Sequence, residues 1–330
     1  LTIKILKLML MKLIIQIPCL NEEETLPKTL EELPRELLGF DKVEWLVIDD
    51  GSSDKTAEIA KSLGVDHVVR HKKNQGLARA FITGLNESTL LGADVIVNTD
   101  ADNQYDATGI PNLVAPILEG NADIVIGARP IQEIKHFSRT KRLLQRLGSW
   151  VVRRVSYTDL PDVTSGFRAL SREAAQRTVV YNEYTYTLET IIQAGHRKLA
   201  ITSVPVRVNE KLRASRLIKS IPSYIKRSLI TLIRIYVIYR PFHFFGTIGI
   251  VAIGVGTVLG VRFGYYYFTG TGGGHIQSLI VASIFVGIGF QTFLMAFIAD
   301  LFAANRKLLE EIRYTSSKLS GQIDNERNRR

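Results

Sequence analysis

Short apolar segments alternate with helical patterns in the first part of the chain. Five apolar runs predict β-strands, and the segments between them predict helices. The predicted strands are Lys12–Ile17, Val43–Ile48, His67–Val69, Asp94–Asn98 and Asp123–Ile126, and the predicted helices are Thr25–Leu38, Asp54–Leu63, Gln75–Leu90 and Ala107–Leu118. Alternation of this kind predicts an α/β fold with a mostly parallel sheet.

The pattern changes near residue 241, where two long uncharged apolar runs begin. Pro241–Val261 and Ile276–Ala299 are separated by Arg262, three tyrosines and a glycine-rich turn. At about 1.5 Å per residue, each run can cross a hydrocarbon core of about 30 Å. We therefore predict a transmembrane hairpin at about 241–262 and 276–299. Two buried helices of a soluble domain are the alternative, but such helices seldom exceed twenty residues without a charge.

Composition shows that charge and apolar residues are unevenly placed along the chain. The 330 residues carry a formal net charge of +10 and are 46% hydrophobic, which excludes a disordered chain. The segment Arg207–Arg240 contains nine basic residues and one acid. This segment predicts amphipathic helices on an anionic membrane surface. Cations on both outer flanks of the hairpin predict that both termini and the α/β domain are cytoplasmic, and membrane lipids are expected partners.

These patterns predict five consecutive regions. They are an N-terminal extension (1–11), an α/β domain (12–210), basic amphipathic interface helices (211–240), the transmembrane hairpin (241–300) and a cytoplasmic C-terminal tail (301–330). The tail fits either a flexible extension or an arm that joins copies into a homo-oligomer. The single cysteine, Cys19, excludes an intramolecular disulfide framework and a cysteine-based zinc site.

Polar and acidic residues follow three of the predicted strands. The segments Pro18–Glu23, Asp49–Asp54 and Thr99–Gln104 come after the first, second and fourth strands. Because ligands of open α/β sheets bind beyond the carboxyl ends of the strands, we expect a functional site at this edge. One member, Asp54, is explained more simply as a helix cap.

Asp100 and Asp102 leave their strand two residues apart, so both carboxylates can face one hard divalent cation. The sequence has no Gly-x-x-x-x-Gly-Lys-Ser/Thr loop, and no Gly-x-Gly-x-x-Gly follows the first strand. A P-loop site and a dinucleotide cofactor are therefore disfavoured. A metal on paired aspartates suits a nucleoside diphosphate whose departure the metal assists.

Five motifs stand in the order found in family 2 glycosyltransferases. They are IPCLNEE (Ile17–Glu23), VIDDGSSDKT (Val47–Thr56), NQGLARA (Asn74–Ala80), DADNQY (Asp100–Tyr105) and DVTSGFRAL (Asp162–Leu170). With the membrane hairpin, the chain resembles polyisoprenyl-phosphate glycosyltransferases of the dolichyl-phosphate mannose synthase type. The resemblance implies a Rossmann-like GT-A fold and Mg²⁺ or Mn²⁺ as cofactor. It also implies inverting transfer of one sugar from a nucleotide sugar, expected to be a UDP-sugar, to polyisoprenyl phosphate.

The resemblance also assigns site residues on the donor side. The positions expected to bind the donor nucleotide are Pro18, Leu20, Asn21, Glu22, Asp49, Asp50, Gly76 and Asp100. Those expected at the metal are Asp100, Asp102 and Gln104, with Asp102 also counted as catalytic. Asn103 and Tyr105 stand where relatives often carry Leu and His, which leaves the donor sugar open.

On the acceptor side, the resemblance places Ser165, Gly166 and Arg168 in the loop that meets the acceptor, and a basic segment is expected to bind phosphate. The basic residues are Lys211, Arg213 and Arg216. Attraction to the leaflet is the alternative for these cations, and both effects are expected to operate. Asp162 is the candidate general base or orienting carboxylate, and a loop cap is its structural alternative. A phosphate acceptor is already ionised at pH 7, so it needs no strong base.

Two other function classes share part of this pattern. Processive polysaccharide synthases share the early motifs, but they usually also carry Gln-x-x-Arg-Trp and more membrane helices, which this sequence lacks. A nucleic-acid-binding protein finds support only in the net charge, and the cations cluster beside the apolar runs, so no nucleic-acid partner is expected. The histidines show no ligand spacing, and His71 and His196 are expected at the surface.

Overall fold

The structure is a computed structural model that describes residues 11–130, 160–180, 186–209, 230, 233–234 and 236–327. Its described part divides into an α/β unit and a unit that contains two long helices. Seven strands of the α/β unit form one sheet in the order β3-β2-β1-β4-β6-β5-β7. They are β1 Lys12–Cys19, β2 Lys42–Asp49, β3 His67–Arg70, β4 Val95–Asn98, β5 Ile124–Ala128, β6 Arg168–Ser171 and β7 Ile201–Pro205.

The helices of the α/β unit connect these strands. They are α1 Leu26–Glu32, α2 Thr56–Ser62, α3 Leu77–Leu90, α4 Ile110–Leu118, α5 Arg172–Arg177 and α6 Thr187–His196, and a 3₁₀ turn, Ala107–Gly109, precedes α4. The five strands predicted from the sequence are all present, and they run parallel to one another. Only β6 is antiparallel among the described strands, and it lies between β4 and β5. The predicted mostly parallel α/β sheet is thereby confirmed.

The sheet carries helices on both faces, which explains why its central strands are apolar throughout. Leu13, Ile15 and Ile17 of β1 belong to one buried cluster, which also contains Leu26 of α1. The side chain of Gln16 points to the opposite face, where it lies close to Gly84 of α3. Strands buried on both faces cannot show an alternating pattern, and the near-continuous apolar run of β1 is typical of them.

Strand register brings five chain segments to one edge of the sheet. Cys19 of β1 lies opposite Asp49 of β2, and Gln16 lies opposite Asn98 of β4. Because β6 is antiparallel, it begins where β4 ends, with Arg168 opposite Asn98. The ends of β1, β2, β4 and β5 and the start of β6 therefore share this edge, which we call the site edge.

The first helix ends earlier than the sequence pattern predicted. The prediction was Thr25–Leu38, but α1 ends at Glu32 and Leu33 is extended, with ψ of 136°. Leu33 precedes Pro34, whose ring disfavours helical geometry at the residue before it. The prediction beyond Glu32 was wrong, although the proline was visible in the sequence.

Two long apolar helices follow, α7 Pro241–Phe268 and α8 Ile276–Arg327, and the second unit contains α7 and α8 as far as Arg313. Both are long and apolar enough to cross a membrane, and most of their apolar residues are exposed. Glycines on α7 allow the two helices to touch, since a Cβ on Gly249 would lie 2.9 Å from the carbonyl oxygen of Gly289. Such close contact between small residues is typical of membrane helices. The hairpin is therefore present as two packed helices of membrane length.

Both helices extend past the apolar runs from which they were predicted. The tyrosines expected in the connecting loop lie in the last turn of α7, and α8 continues through most of the expected tail. At about 1.5 Å per residue, α8 is much longer than a bilayer is thick. The predicted extension lies outside the described residues except for Met11, and so does most of the predicted interface segment 211–240.

Candidate active site

The loops after β1 and β2 are joined by hydrogen bonds between their backbones and side chains. The amide of Asn21 donates to Ser52 Oγ at 2.9 Å, and the Asn21 side chain accepts from the Ser53 amide at 2.8 Å. The amide of Glu22 donates to Thr56 Oγ1 at 2.9 Å. Asn21 has φ of +55°, a left-handed conformation that asparagine tolerates better than most residues. Two predicted donor-binding residues, Asn21 and Glu22, are thus held at the site edge beside Pro18 and Leu20.

Asp49 and Asp50 are adjacent in sequence but play different structural parts. Asp49 is fully buried and accepts from the Ser52 amide at 2.8 Å, while Arg70 Nε lies 3.0 Å from its other oxygen. These contacts shape the turn after β2. Because its carboxylate is engaged in these contacts, Asp49 would affect the donor through the shape of that turn. Asp50 follows the end of the strand.

Asp50 is held by the loop that follows β3. Its Oδ1 accepts from the Gln75 amide at 2.9 Å, and its Oδ2 accepts from the amide of Gly76 at 2.8 Å. The ring Nδ1 of His71 lies 2.7 Å from Oδ1. The predicted donor residues Asp50 and Gly76 are thus brought into direct contact. The expectation that His71 lies at the surface was wrong, because only 8% of its side chain is exposed.

Asp100 lies against the loop that precedes β6. A Cβ atom on Gly166 would be 3.1 Å from both carboxylate oxygens of Asp100, so only glycine lets the loop approach this closely. Burial, and then the negative charge of Asp102, raise the pKa of Asp100 to about 7. The motif residue Asp100 and the predicted acceptor-loop residue Gly166 are therefore neighbours.

A network of buried hydrogen bonds holds Gly166 in this position. The side-chain nitrogen of Asn98 donates to the Gly166 carbonyl at 2.9 Å and to the Tyr186 hydroxyl at 3.0 Å, while Gln16 donates to Asn98 Oδ1 at 2.8 Å. The Tyr186 ring stacks on Phe81 of α3, with 3.8 Å between ring centroids. Buried hydrogen bonds of this kind restrict the arrangement of the groups they join. The loop before β6 is thereby fixed relative to the end of β4, which Asp100 follows.

The turn that contains Asp102 is held by two further segments. Asp102 Oδ1 accepts from the Gln104 amide at 3.1 Å, and Asn103, with φ of +53°, donates from its side chain to Glu32 at 2.9 Å. The backbone amide of Asn209 donates to the Gln104 carbonyl at 2.9 Å. The turn therefore joins the end of α1 to the segment that follows β7.

Asp162 forms an ion pair with a cation that the sequence motifs did not indicate. Arg129 Nε lies 2.7 Å from Asp162 Oδ2, and Thr164 Oγ1 donates to Oδ1 at 2.9 Å. Burial alone would raise the pKa of Asp162, but the hydrogen bond and charge of Arg129 outweigh it and the pKa is lowered. A carboxylate whose proton affinity is reduced is a weak general base. Of the two roles expected for Asp162, orientation of neighbouring groups fits this geometry.

Two residues of the predicted acceptor loop, Ser165 and Arg168, are packed inside the protein. Both are fully buried, and the guanidinium of Arg168 donates to the Ser165 carbonyl and, at 2.5 Å, to Thr190 Oγ1 of α6. Two of the Arg168 nitrogens are thus occupied by protein atoms, whereas the buried Nε has no hydrogen-bond partner among the described residues, and the expected acceptor contact of Arg168 stays a prediction. Gly166 is the member of the predicted acceptor loop that reaches the carboxylate of Asp100.

Lys211, Arg213 and Arg216 lie outside the described residues. Among the described residues, Arg129 is a cation close to Asp100. Its charge lowers the pKa of Asp100, but burial and the charge of Asp102 raise that pKa by more. The Arg129 side chain is 16% exposed, so it remains accessible from the site edge. No sequence motif marks Arg129, because its partner Asp162 is 33 residues away.

The donor set at Asp100 and Asp102 fits a hard divalent cation. Within the described residues, no group donates a hydrogen bond to the Asp100 carboxylate, and no cluster of three or more His, Cys, Asp or Glu side chains surrounds a common point. Two carboxylates would leave most of the coordination sphere of such a cation to water or to ligand phosphates. A cation would also offset the repulsion that raises the pKa of Asp100.

Comparison with known proteins identifies the family of the chain. A family model described as glycosyl transferase family 2 matches residues 14–179, half of the chain. The UDP-N-acetylglucosamine–dolichyl-phosphate N-acetylglucosaminyltransferase of Methanococcus voltae is 29% identical over 212 residues, which cover 58% of this chain and 83% of that protein. The undecaprenyl-phosphate mannosyltransferase of Micrococcus luteus is 28% identical over 211 residues, which cover 61% of this chain and 85% of that protein.

A solved structure has the same fold. It is glucosyl-3-phosphoglycerate synthase from Mycobacterium tuberculosis in complex with Mn²⁺, uridine diphosphate and glucosyl-3-phosphoglycerate, with a TM-score of 0.54 and 20% identity. The alignment covers 69% of this chain and 79% of that one. The predicted GT-A architecture is confirmed by this likeness. The family match, the order of the five motifs and the GT-A sheet agree, and the chain belongs to glycosyl transferase family 2.

Proposed function

We propose that this membrane glycosyltransferase transfers one sugar from a nucleotide sugar, specifically a UDP-sugar, to polyisoprenyl phosphate. One juxtaposition carries the proposal: the site edge brings Asp50, the Asp100–Asp102 pair and Gly166 together. The same chain continues into α7 and α8, which are long and apolar enough to cross a membrane. A donor site in a chain with membrane helices suits an acceptor that is itself a lipid.

Two relatives support the acceptor class. One is named for dolichyl phosphate and the other for undecaprenyl phosphate, and both names describe a sugar transferred to a polyprenyl phosphate. The first name includes a UDP-sugar, and the solved structure of the same fold holds uridine diphosphate, which supports a uridine nucleotide as donor. Because the two relatives are named for different sugars, we propose the nucleotide and the acceptor but not the sugar.

Asp100, Asp102 and Gln104 would hold the divalent metal, Mg²⁺ or Mn²⁺. A bound cation of this kind supplies positive charge that stabilises a departing diphosphate. The solved structure of the same fold contains Mn²⁺, which supports this cofactor. We propose that Pro18, Leu20, Asn21 and Glu22 line the nucleoside pocket and that Asp50 faces the base.

The reaction needs positioning more than proton transfer. An oxygen of the ionised acceptor phosphate attacks the anomeric carbon from the face opposite the diphosphate. The new carbon–oxygen bond forms as the bond to the diphosphate oxygen breaks, the electron pair leaves with the nucleoside diphosphate, and the configuration inverts. No proton has to be removed, which agrees with the lowered pKa of Asp162. Arg129 and the cations of the segment 211–216 would attract the acceptor phosphate.

The membrane arrangement follows from the same proposal. We propose that both termini and the α/β unit are cytoplasmic, where nucleotide sugars are available, and that α7 and α8 cross the cytoplasmic membrane as a hairpin. Protease or thiol-reagent access in sealed vesicles of known orientation measures this topology. Protection of the α/β unit in vesicles whose cytoplasmic face is outward would contradict it.

A labelled-donor assay tests the function. Membranes that contain the full chain are incubated with labelled UDP- and GDP-sugars and with polyprenyl phosphates. The expected product is a lipid that carries one sugar, made from a UDP-sugar, and it is lost when a chelator removes divalent cations. A polymer would support the processive synthase instead. Turnover that is undiminished in chelator would contradict the metal requirement.

A further inference from the structure

The chain itself fills three of the hydrogen-bonding positions of Asp50. His71 Nδ1 and the amide of Gln75 meet Oδ1 at 2.7 Å and 2.9 Å, and the amide of Gly76 meets Oδ2 at 2.8 Å. An ionised carboxylate has about four acceptor sites, two on each oxygen. The described contacts therefore leave one acceptor site, and it is on Oδ2.

The orientation of His71 is fixed at both ring nitrogens. Since an ionised carboxylate accepts but does not donate, Nδ1 carries the hydrogen toward Asp50. Nε2 lies 3.0 Å from the hydroxyl of Thr83 on α3. The ring is thereby held between β3 and α3, and its donor stays directed at Oδ1.

The loop that carries these donors is pressed against the turn after β2. A Cβ on Gly51, whose φ is +74°, would lie 2.6 Å from the carbonyl carbon of Lys73, so the two backbones touch. Only 4% of the Asp50 side chain is exposed. The carboxylate can therefore neither turn nor present both oxygens to a ligand.

Nucleobases differ in the donors they offer to a carboxylate. Uracil has one ring N–H between two carbonyl groups, so it needs a single acceptor. Guanine has a ring N–H beside an exocyclic amino group, and this pair binds a carboxylate through both oxygens, as other paired donors do. A carboxylate with a single acceptor site left, on one oxygen, can accept the ring N–H of uracil. It cannot accept both donors of guanine.

We propose that His71 is a specificity-determining residue: by occupying Oδ1, it limits Asp50 to one N–H contact and favours uridine over guanosine nucleotides. The inference rests on the proposed function, in which Asp50 faces the base of the donor. His71 itself acts through Asp50 and is a positioning residue. Its removal would free an acceptor on Oδ1, which guanine can use and uracil cannot.

Nucleotide binding to the full chain in detergent micelles tests the role of His71. Isothermal titration in the presence of Mn²⁺ uses UDP, GDP and N3-methyl-UDP, in which the ring N–H is replaced. The variants are His71→Phe, which keeps a ring but has no donor, and His71→Asn, whose amide can donate from nearly the position of Nδ1. Thermal melting confirms that each variant is folded.

Wild-type protein is expected to bind UDP at least about tenfold more tightly than GDP or N3-methyl-UDP, the size of one hydrogen bond to a charged group. His71→Phe should reduce the UDP-to-GDP affinity ratio at least about threefold, while His71→Asn keeps it near the wild-type value. A merely structural role would weaken both nucleotides equally and leave the ratio unchanged.

Several results would overturn the inference. They are a wild-type ratio below about threefold, tight binding of N3-methyl-UDP, or a folded His71→Phe variant with the wild-type ratio. The N3-methyl-UDP and GDP measurements use wild-type protein, so they remain decisive if His71→Phe does not fold. Sugar transfer from a UDP-sugar with no effect of His71 would leave the proposed function standing, whereas a failure to bind any nucleoside diphosphate would overturn both.

Discussion

The backbone of Gly166 lies so close to Asp100 that a Cβ atom on the glycine would be 3.1 Å from both carboxylate oxygens. The carbonyl of the same glycine accepts a hydrogen bond from the side chain of Asn98, the last residue of β4, which lies two residues before Asp100. The loop before β6 and the end of β4 are therefore fitted to each other at one point. Any side chain on Gly166 must displace the carboxylate or the loop.

We expect Gly166→Ala to lower kcat by at least about tenfold while the protein still folds, because a shift of a few tenths of an ångström in Asp100 disturbs the reacting geometry. Gly109→Ala is the matched control, since a Cβ there would meet Phe167 at an ordinary 3.5 Å. Steady-state transfer rates and melting temperatures of both variants measure the effect. Wild-type turnover by Gly166→Ala would show that this contact is not required.

Asp102 should be essential for transfer and dispensable for folding. Asp102→Asn keeps an oxygen that can accept from the Gln104 amide, as Asp102 does at 3.1 Å, but it removes the negative charge that would face a cation. We expect turnover to fall by at least about a hundredfold with little change in melting temperature, a loss typical of one electrostatic group at a reacting centre.

Asp106→Asn provides the matched control for Asp102. Asp106 also accepts from the amide two residues ahead, at 2.9 Å from Thr108, but it caps the 3₁₀ turn. Its variant should keep most of the activity. Equal losses of activity in the two variants would mean that turnover depends on the shape of the turn and not on the charge of Asp102. A metal titration of each variant distinguishes these cases.

The sequence predicted the site edge well because parallel strands place the ends of separated segments together. Asp50, Asp100 and Asp102 follow β2 and β4, and strand register is sufficient to bring them to one edge. The end of α1 was also predictable, since Pro34 was visible and disfavours helix at Leu33. Apolar periodicity alone extended that helix too far.

Contacts between distant residues were not predictable from any motif. His71 lies 21 residues from Asp50, and Arg129 lies 33 residues from Asp162. Neither pair has a spacing that marks it, because each depends on which strands are neighbours. The burial of Arg168 was hidden for the same reason: antiparallel β6 inserts between β4 and β5, and Arg168 at its start donates to Thr190 of α6.

Substitutions in the ion pair between Arg129 and Asp162 should distinguish an effect on stability from an effect on acceptor binding. Asp162 is buried, so Asp162→Asn leaves the guanidinium without its counterion and should cost about 3–5 kcal/mol of stability, seen as a lower melting temperature. Arg129→Gln should also raise KM for polyprenyl phosphate by several-fold, because it removes a cation from the site edge. Melting and acceptor titrations on both variants measure these effects.

Glu173→Gln is the control for that pair, because the Glu173 side chain is 54% exposed and pairs with Arg177 one helical turn away. Exposed pairs contribute about 0–1 kcal/mol, so its melting temperature should stay close to that of the wild type. If Arg129→Gln leaves KM for the acceptor unchanged, the cation stabilises the fold and does not attract the phosphate.

Glu44 should give the α/β unit a stability that is lost in acid. Its carboxylate on β2 lies 2.6 Å from Lys12 Nζ and 2.8 Å from His67 Nε2, and it also pairs with Lys42. Burial alone would raise its pKa, but the hydrogen bonds from these three partners outweigh burial and lower the pKa of Glu44 to about 2. The lowered pKa means that folding favours the ionised form of Glu44, so the ionised carboxylate stabilises the folded state.

The stabilisation is therefore complete above the unfolded pKa of about 4.3 and is lost as the pH falls toward 2. Glu44→Gln should lower stability by about 2 kcal/mol at neutral pH, and its melting temperature should fall less steeply than that of the wild type between about pH 4.5 and 2. Glu58→Gln is the control, because the Glu58 side chain is 63% exposed and pairs with Arg70 at 3.7 Å. Melting of the full chain in detergent across this pH range checks the prediction. Parallel acid curves for wild type and Glu44→Gln would show that these three partners do not stabilise the fold through Glu44.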